Sequence, residues 1–308
     1  MSQIKCFREG SLSLHQSRYF QNTSTDFPSV RYFGQVWERA FPLGDPTQLY
    51  GTPLGISTNI LPKLSLVEAV YCFHQYKFKH IELQLEFRAR YDYALPEVER
   101  FLEGCKLNFG MDFTVHAPYL KINLGANDED LRSYSCLQVA TLIPFCAELG
   151  VRYLTVHTSG RGAHSLEQLL RSLELLVSQT QKYGICICLE NTGADRPGWL
   201  LLTDEECITA CYTTGCALTT DFVHVFSLTS DPFATLEKLL PFTRNCHLAD
   251  TYNNQHLHLP LGKGNLPVHQ ILAALDKHSY RGKLIVDALD RGYRAEEYIA
   301  CAAAFRDN

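Results

Sequence analysis

Between positions 245 and 265 the chain reads NCHLADTYNNQHLHLPLGKGN, so His247, Asp250, His256 and His258 precede a glycine-bracketed turn, Gly262-Lys263-Gly264. Neutral imidazole is the commonest protein ligand for zinc-like ions and carboxylates suit harder ones, so this density points to a metal site. A histidine-rich surface loop has the same composition, and the rest of the chain must decide between them. Elsewhere, chemistry-bearing residues stand at the ends of short apolar runs: His116, His157, Glu190, Asp221 and Asp287.

The elements that position these residues alternate. Strand-like runs lie near 54–59, 79–85, 112–116, 152–157, 185–190, 217–221, 244–248 and 283–287. Helical periodicity covers 65–76, 96–105, 129–149, 165–183, 204–213, 232–240, 267–277 and 295–305. Ser65 followed by Glu68 is a capping box that starts the first helix. Eight strands alternating with eight helices predict an α/β fold, a (β/α)8 TIM barrel. The alternative is an open doubly wound sheet, and no GxGxxG follows the first strand to support it.

A period of two then assigns faces. In Ile185-Cys186-Ile187-Cys188-Leu189-Glu190 the large aliphatics share one side and Glu190 lies on the other. Helices on the outside of a parallel barrel need large apolar partners, so the Glu190 face points inward. The same rule turns Glu82, Gln84, Glu86, His247 and Asp287 inward. His116, His157 and Asp221 close their strands at the carboxyl end, where barrel enzymes assemble their sites. Buried carboxylates at one mouth repel each other and lose hydration unless a cation compensates them. A divalent metal held by Glu190, Asp221, His247 and Asp287 from strands five to eight answers that need. His116, His157, His224 and His258 surround the four as further ligands, substrate contacts or supports of the ligands.

Composition sets the bounds. The 308 residues are 46% hydrophobic and 20% charged, enough to bury a full core. The formal charge of -5 gives no global basic field for nucleic acid or an anionic membrane. No run has the length of a membrane span and no signal-like apolar core opens the chain, so a soluble cytoplasmic protein is expected. The 12 cysteines are scattered without a CxxC pair and read as reduced, buried small hydrophobes. Residues 1–50 form an irregular N-terminal extension, packed on the barrel (51–308) through aromatics such as Tyr32 and Trp37. Arg161 between two glycines after strand four, and Lys263 between two more, are candidate contacts for substrate oxygens.

The series His116-Ala117-Pro118-Tyr119, Val156-His157-Thr158, Leu189-Glu190-Asn191-Thr192, Asp221-Phe222-Val223-His224, His247-Leu248-Ala249-Asp250 and His258-Leu259-Pro260-Leu261-Gly262 resembles the xylose-isomerase-like TIM-barrel superfamily from about position 53 onward. Its isomerase and epimerase branch implies one divalent ion (Mn, Mg, Co or Zn) on Glu190, Asp221, His247 and Asp287, with Glu190 and Asp287 exchanging a proton beside a polarised carbonyl. Asp287 stands where that branch has glutamate. In this reading His116 and His157 line the pocket of a sugar or sugar phosphate. The endonuclease IV type implies three zinc ions on those residues together with His116, His157, His224, His256 and His258, and a DNA substrate cut at abasic sites. The chain departs from that type at His256 and Asp287, and Gly193-Ala194-Asp195-Arg196-Pro197 replaces its usual run after strand five. A catalytically silent barrel used for binding is the third reading.

Overall fold

The computed structural model describes residues 54–158, 162–192, 200–253, 255, 257–288 and 293–307. The expected extension over 1–50 lies outside them, as do Arg161 and His256. Eight parallel strands close a barrel in sequence order: β1 (Leu54–Ser57), β2 (His80–Gln84), β3 (Asp112–His116), β4 (Tyr153–Val156), β5 (Cys186–Glu190), β6 (Ala217–Asp221), β7 (Thr243–Leu248) and β8 (Lys283–Val286). The seam is made by Leu54, Gly55 and Ile56 pairing with Leu284, Ile285 and Val286. Gly55 is required there, because a Cβ would stand 2.5 Å from Ile285 Cδ1 and 2.7 Å from the His80 carbonyl. The (β/α)8 expectation holds.

Every predicted strand is present, and most predicted helices match: α1 (Leu66–Gln75), α3 (Pro96–Phe109), α6 (Leu166–Thr180), α7 (Asp204–Thr214), α9 (Pro232–Leu239), α10 (Val268–Lys277) and α11 (Ala295–Asp307). Ser65 and Glu68 form the capping box reciprocally, with Ser65 N donating to the Glu68 carboxylate at 2.8 Å. Two departures have local causes. The single helix expected over 129–149 divides into α4 (Glu129–Ala140) and α5 (Ile143–Glu148). Pro144 has no N–H to give the carbonyl of Ala140, so one continuous helix cannot pass it. Short helices α2 (Ala89–Asp92) and α8 (Phe222–Leu228) also occur. The run FVHVF carries no apolar–polar period because Phe222 to Phe226 are buried all round, so α8 escapes a reading based on amphipathicity.

The barrel's outer face and the helices share one apolar core. Ile81, Leu83, Leu154, Leu189, Leu218, Leu248 and Leu284 pack with Val70, Phe73, Leu102, Leu173, Ile271 and Ile299, each 2% exposed or less. Burying each such side chain stabilises the fold by about 1.5–3 kcal/mol. The inner face is polar instead. Glu82 Oε2 accepts from Thr114 Oγ1 (3.1 Å) and Asn245 Nδ2 (2.8 Å), and Thr155 and Thr219 hydroxyls bond each other at 2.8 Å. This layer is the floor on which the site stands. No helix among the described residues is long and apolar enough to cross a membrane.

Candidate metal centre

The register of the last four strands delivers the acidic and imidazole groups at one level. Glu190 ends β5 beside Thr219, and Asp221 ends β6 directly beside His247 of β7. One ligand atom from each of Glu190, Asp221 and His247 lies within 4.8 Å of the other two. Two more such groups share members with the first: His116, His157 and Glu190, then Asp221, His224 and His258. All of these residues are buried except the partly exposed His157. Asp221 also caps α8, accepting from His224 N at 2.9 Å, which is why His224 arrives one helical turn beyond it.

Hydrogen bonds set the tautomer of the rings. His116 Nδ1 donates to the Ala117 carbonyl (2.8 Å), His224 Nδ1 to the Asn191 carbonyl (2.5 Å) and His258 Nδ1 to the Asp287 carbonyl (3.3 Å). A carbonyl only accepts, so Nδ1 carries the proton in all three. His247 uses its other nitrogen, with Nε2 2.8 Å from Glu82 Oε1. Nitrogens of three rings face Glu190. His116 Nε2 and His157 Nε2 both lie 3.0 Å from Glu190 Oε2, and His247 Nδ1 lies 3.5 Å from Glu190 Oε1. A bare lone pair repels a carboxylate oxygen. His116 and His247 already use their other nitrogen, so their contacts with Glu190 need a second ring proton or a cation between the two atoms, and the donor set fits a divalent metal.

Electrostatics expresses the same competition. Burial drives the Glu190 carboxyl up, but His157, His247 and His116 outweigh it and hold it well below the usual carboxylate range. Burial also dominates Asp221, and with the neighbouring Glu190 charge it leaves that carboxyl raised despite His258 and His247. Burial would lower both His116 and His247; Glu190 and Glu82 reverse this and raise them. His224 goes the other way, pushed down to about 3 by burial and by His258 against the pull of Glu190.

The other expected residues divide. Asp287 is buried and accepts from Asn59 Nδ2 at 3.3 Å, and it belongs to none of the three groups. Lys263 is exposed, and its charge acts on Cys301 of α11. Asp250, in the histidine-rich stretch after β7, is an organiser of backbone. Its Oδ1 accepts from Thr251 N (2.8 Å) and Leu266 N (3.0 Å), and its Oδ2 from Gly262 N and Gly264 N (both 2.9 Å). Glycine is needed at Gly264 because a Cβ there would run into the Thr251 carbonyl and the Asp250 carboxylate. The supporting roles of Glu82 and Asn245 carry no signature in the sequence. Strand period alone put Glu82 on the inner face, and its partner on the far side of the barrel follows only from closure.

The profile of the xylose isomerase-like TIM barrel matches residues 73–307. The chain belongs to this family. An uncharacterised protein from Methanocaldococcus jannaschii is 23% identical over 246 residues, covering 76% of this chain and 82% of that protein. Among solved barrels of similar shape, a D-tagatose 3-epimerase-like protein superposes with a TM-score of 0.69 at 21% identity, covering 79% of this chain and 92% of that one. A D-psicose 3-epimerase solved in the presence of D-fructose superposes with a TM-score of 0.67 at 16% identity, covering 83% and 96%. These likenesses confirm the family's barrel in this chain.

Proposed function

We propose that this barrel is a divalent-metal-dependent sugar isomerase or epimerase acting by proton transfer next to a carbonyl. The observation that carries the reading is the division of labour among the carboxylates. Glu190 and Asp221 join His247 in one ligand group, while Asp287 stands apart, hydrogen-bonded to Asn59. Glu190, Asp221 and His247 would hold the ion, with Asp287 completing the set or facing the substrate, and Mn, Mg, Co or Zn all suit such mixed donors. The ion supplies polarisation of a carbonyl and its adjacent hydroxyl. Asp287 and Glu190 then work as a pair on the carbon beside that carbonyl, the ionised carboxylate taking its proton and the protonated partner returning one. His116 and His157 orient substrate hydroxyls. Likeness to a D-tagatose 3-epimerase-like protein and to a D-psicose 3-epimerase supports a small sugar as substrate. Free thiols throughout the described residues support a reducing, cytosolic setting.

A second reading, a zinc phosphodiesterase acting on abasic DNA, is favoured by one observation: the three ligand groups share Glu190 and Asp221 and so form a chain of adjacent sites. The charge of -5 weighs against a phosphate backbone as partner. Metal analysis after gentle purification, combined with a sugar panel and an abasic-site duplex, separates the two. About one ion per chain with sugar turnover is expected; about three zinc ions with cleavage of the duplex and no sugar turnover overturns the isomerase reading.

A further inference from the structure

Beside the metal centre, two amide side chains have hydrogen-bonding capacity that the protein leaves unused. Gln84, the last residue of β2, is 3% exposed and pairs in register with His116, yet neither its Oε1 nor its Nε2 has a partner. Asn59, in the turn that follows β1, is 4% exposed; its Nδ2 serves Asp287 and its Oδ1 has no partner. Both line one small cavity with Thr58, Ser65, Glu86 and Phe87. A buried amide atom without a partner costs about 1–3 kcal/mol, so three at one place call for an occupant, and a space this small takes one hydroxyl group or one water. The alternation along β2 puts Gln84 on the face of Glu82, which reaches His247 across the barrel.

We propose that Gln84 and Asn59 form a subsite for a neutral, hydroxyl-bearing end of the substrate. The inference rests on the sugar isomerase reading and narrows it to unphosphorylated sugars. One hydroxyl matches the two amides, since Gln84 Nε2 can donate to its oxygen while Asn59 Oδ1 or Gln84 Oε1 accepts its proton. A phosphoryl group offers only acceptors and would leave Gln84 Oε1 and Asn59 Oδ1 facing negative oxygens. Charge adds to this: Glu86 lines the cavity, Asp287 touches Asn59, and none of the described lining residues is cationic.

The test uses the full chain loaded with Mn2+, a panel of ketoses, their terminal phosphate esters and their monodeoxy analogues. Binding is read by calorimetry and turnover by exchange of the carbon-bound proton. The parent is expected to favour the free sugar and to discriminate against one deoxy analogue. Gln84→Met, similar in size but without the amide, should weaken the free sugar by about tenfold or more and lose that discrimination, with metal content unchanged and a melting temperature no lower than the parent's. Gln84→Glu, which replaces the donor with a charge, provides the same comparison should the first variant melt early. If either folded variant keeps the parent's affinity and discrimination, or if the parent prefers the phosphate esters, the subsite is overturned while sugar isomerisation stands. A metal-loaded parent that binds and converts no sugar overturns both.

Discussion

Glu82 on β2 holds His247 on β7 across the interior of the barrel, with the carboxylate oxygen 2.8 Å from Nε2, and thereby turns Nδ1 towards Glu190 at 3.5 Å. Both side chains are fully buried. A carboxylate behind a ligating imidazole fixes its tautomer and raises its basicity. Glu82→Gln is expected to weaken divalent-ion affinity by about 10- to 100-fold, read by competition with a fluorescent chelator. Glu82→Ala should also lower the melting temperature, because it leaves the amide of Asn245 and the ring of His247 without their acceptor. Unchanged ion affinity in a folded Glu82→Gln would show that the contact only fills the floor.

Shared ligands make the three groups unequal. Glu190→Gln touches two of them and should abolish stoichiometric ion binding, whereas His224→Ala touches one and should leave the ion at Glu190, Asp221 and His247 in place. Elemental analysis of the two purified variants checks this; equal losses would refute the assignment.

Removing the ion should cost stability. Without it, Glu190 and Asp221 remain as neighbouring buried carboxylates balanced only by imidazoles. Chelation is expected to lower the melting temperature by about 5–10 °C, and restoring the ion should recover it. Calorimetry before and after chelation reads the difference, and identical transitions would argue against a tightly held ion.

Asp287 separates holding from chemistry. Asp287→Asn keeps the acceptor that Asn59 uses but removes the base, so kcat should fall by about 100-fold or more while ion content changes little. A variant that loses the ion together with activity would instead make Asp287 a ligand.

At the opposite end of the barrel, Asp112 sits with His80 at 3.6 Å and with Lys283, and these partners hold its carboxyl below the usual range against partial burial. A carboxyl with a depressed folded pKa contributes stability above its unfolded value, near 3.9, and loses that contribution as pH falls through the folded one. The group is half exposed, so solvent screening limits the effect to about 0.5–1 kcal/mol. Asp112→Asn should therefore melt below the parent at pH 7, and the gap should close under acid. A gap as wide at pH 2 as at pH 7 would assign it to packing.

Much of this was written in periodicity. Alternation along β2 and β5 put Glu82, Gln84 and Glu190 on the inner face, because only large aliphatics can meet the surrounding helices. Strand-end position likewise brought His116, His157, Asp221 and His247 to one mouth. Contacts that depend on loops were less legible. Asp250 has the residue type of a ligand, and only the folded path of Gly262 to Leu266 shows three amides converging on it. Asn59 bears no motif, and its neighbour Asp287 lies 228 positions away.

The seam between β1 and β8 has a consequence for how the chain is made. Leu54, Gly55 and Ile56 complete their hydrogen bonding on one side with Leu284 to Val286, so during synthesis on the ribosome an open strand edge persists until the last eighth of the fold has emerged. Such an edge invites pairing with other nascent chains, and truncation before β8 should yield aggregates in place of a smaller domain.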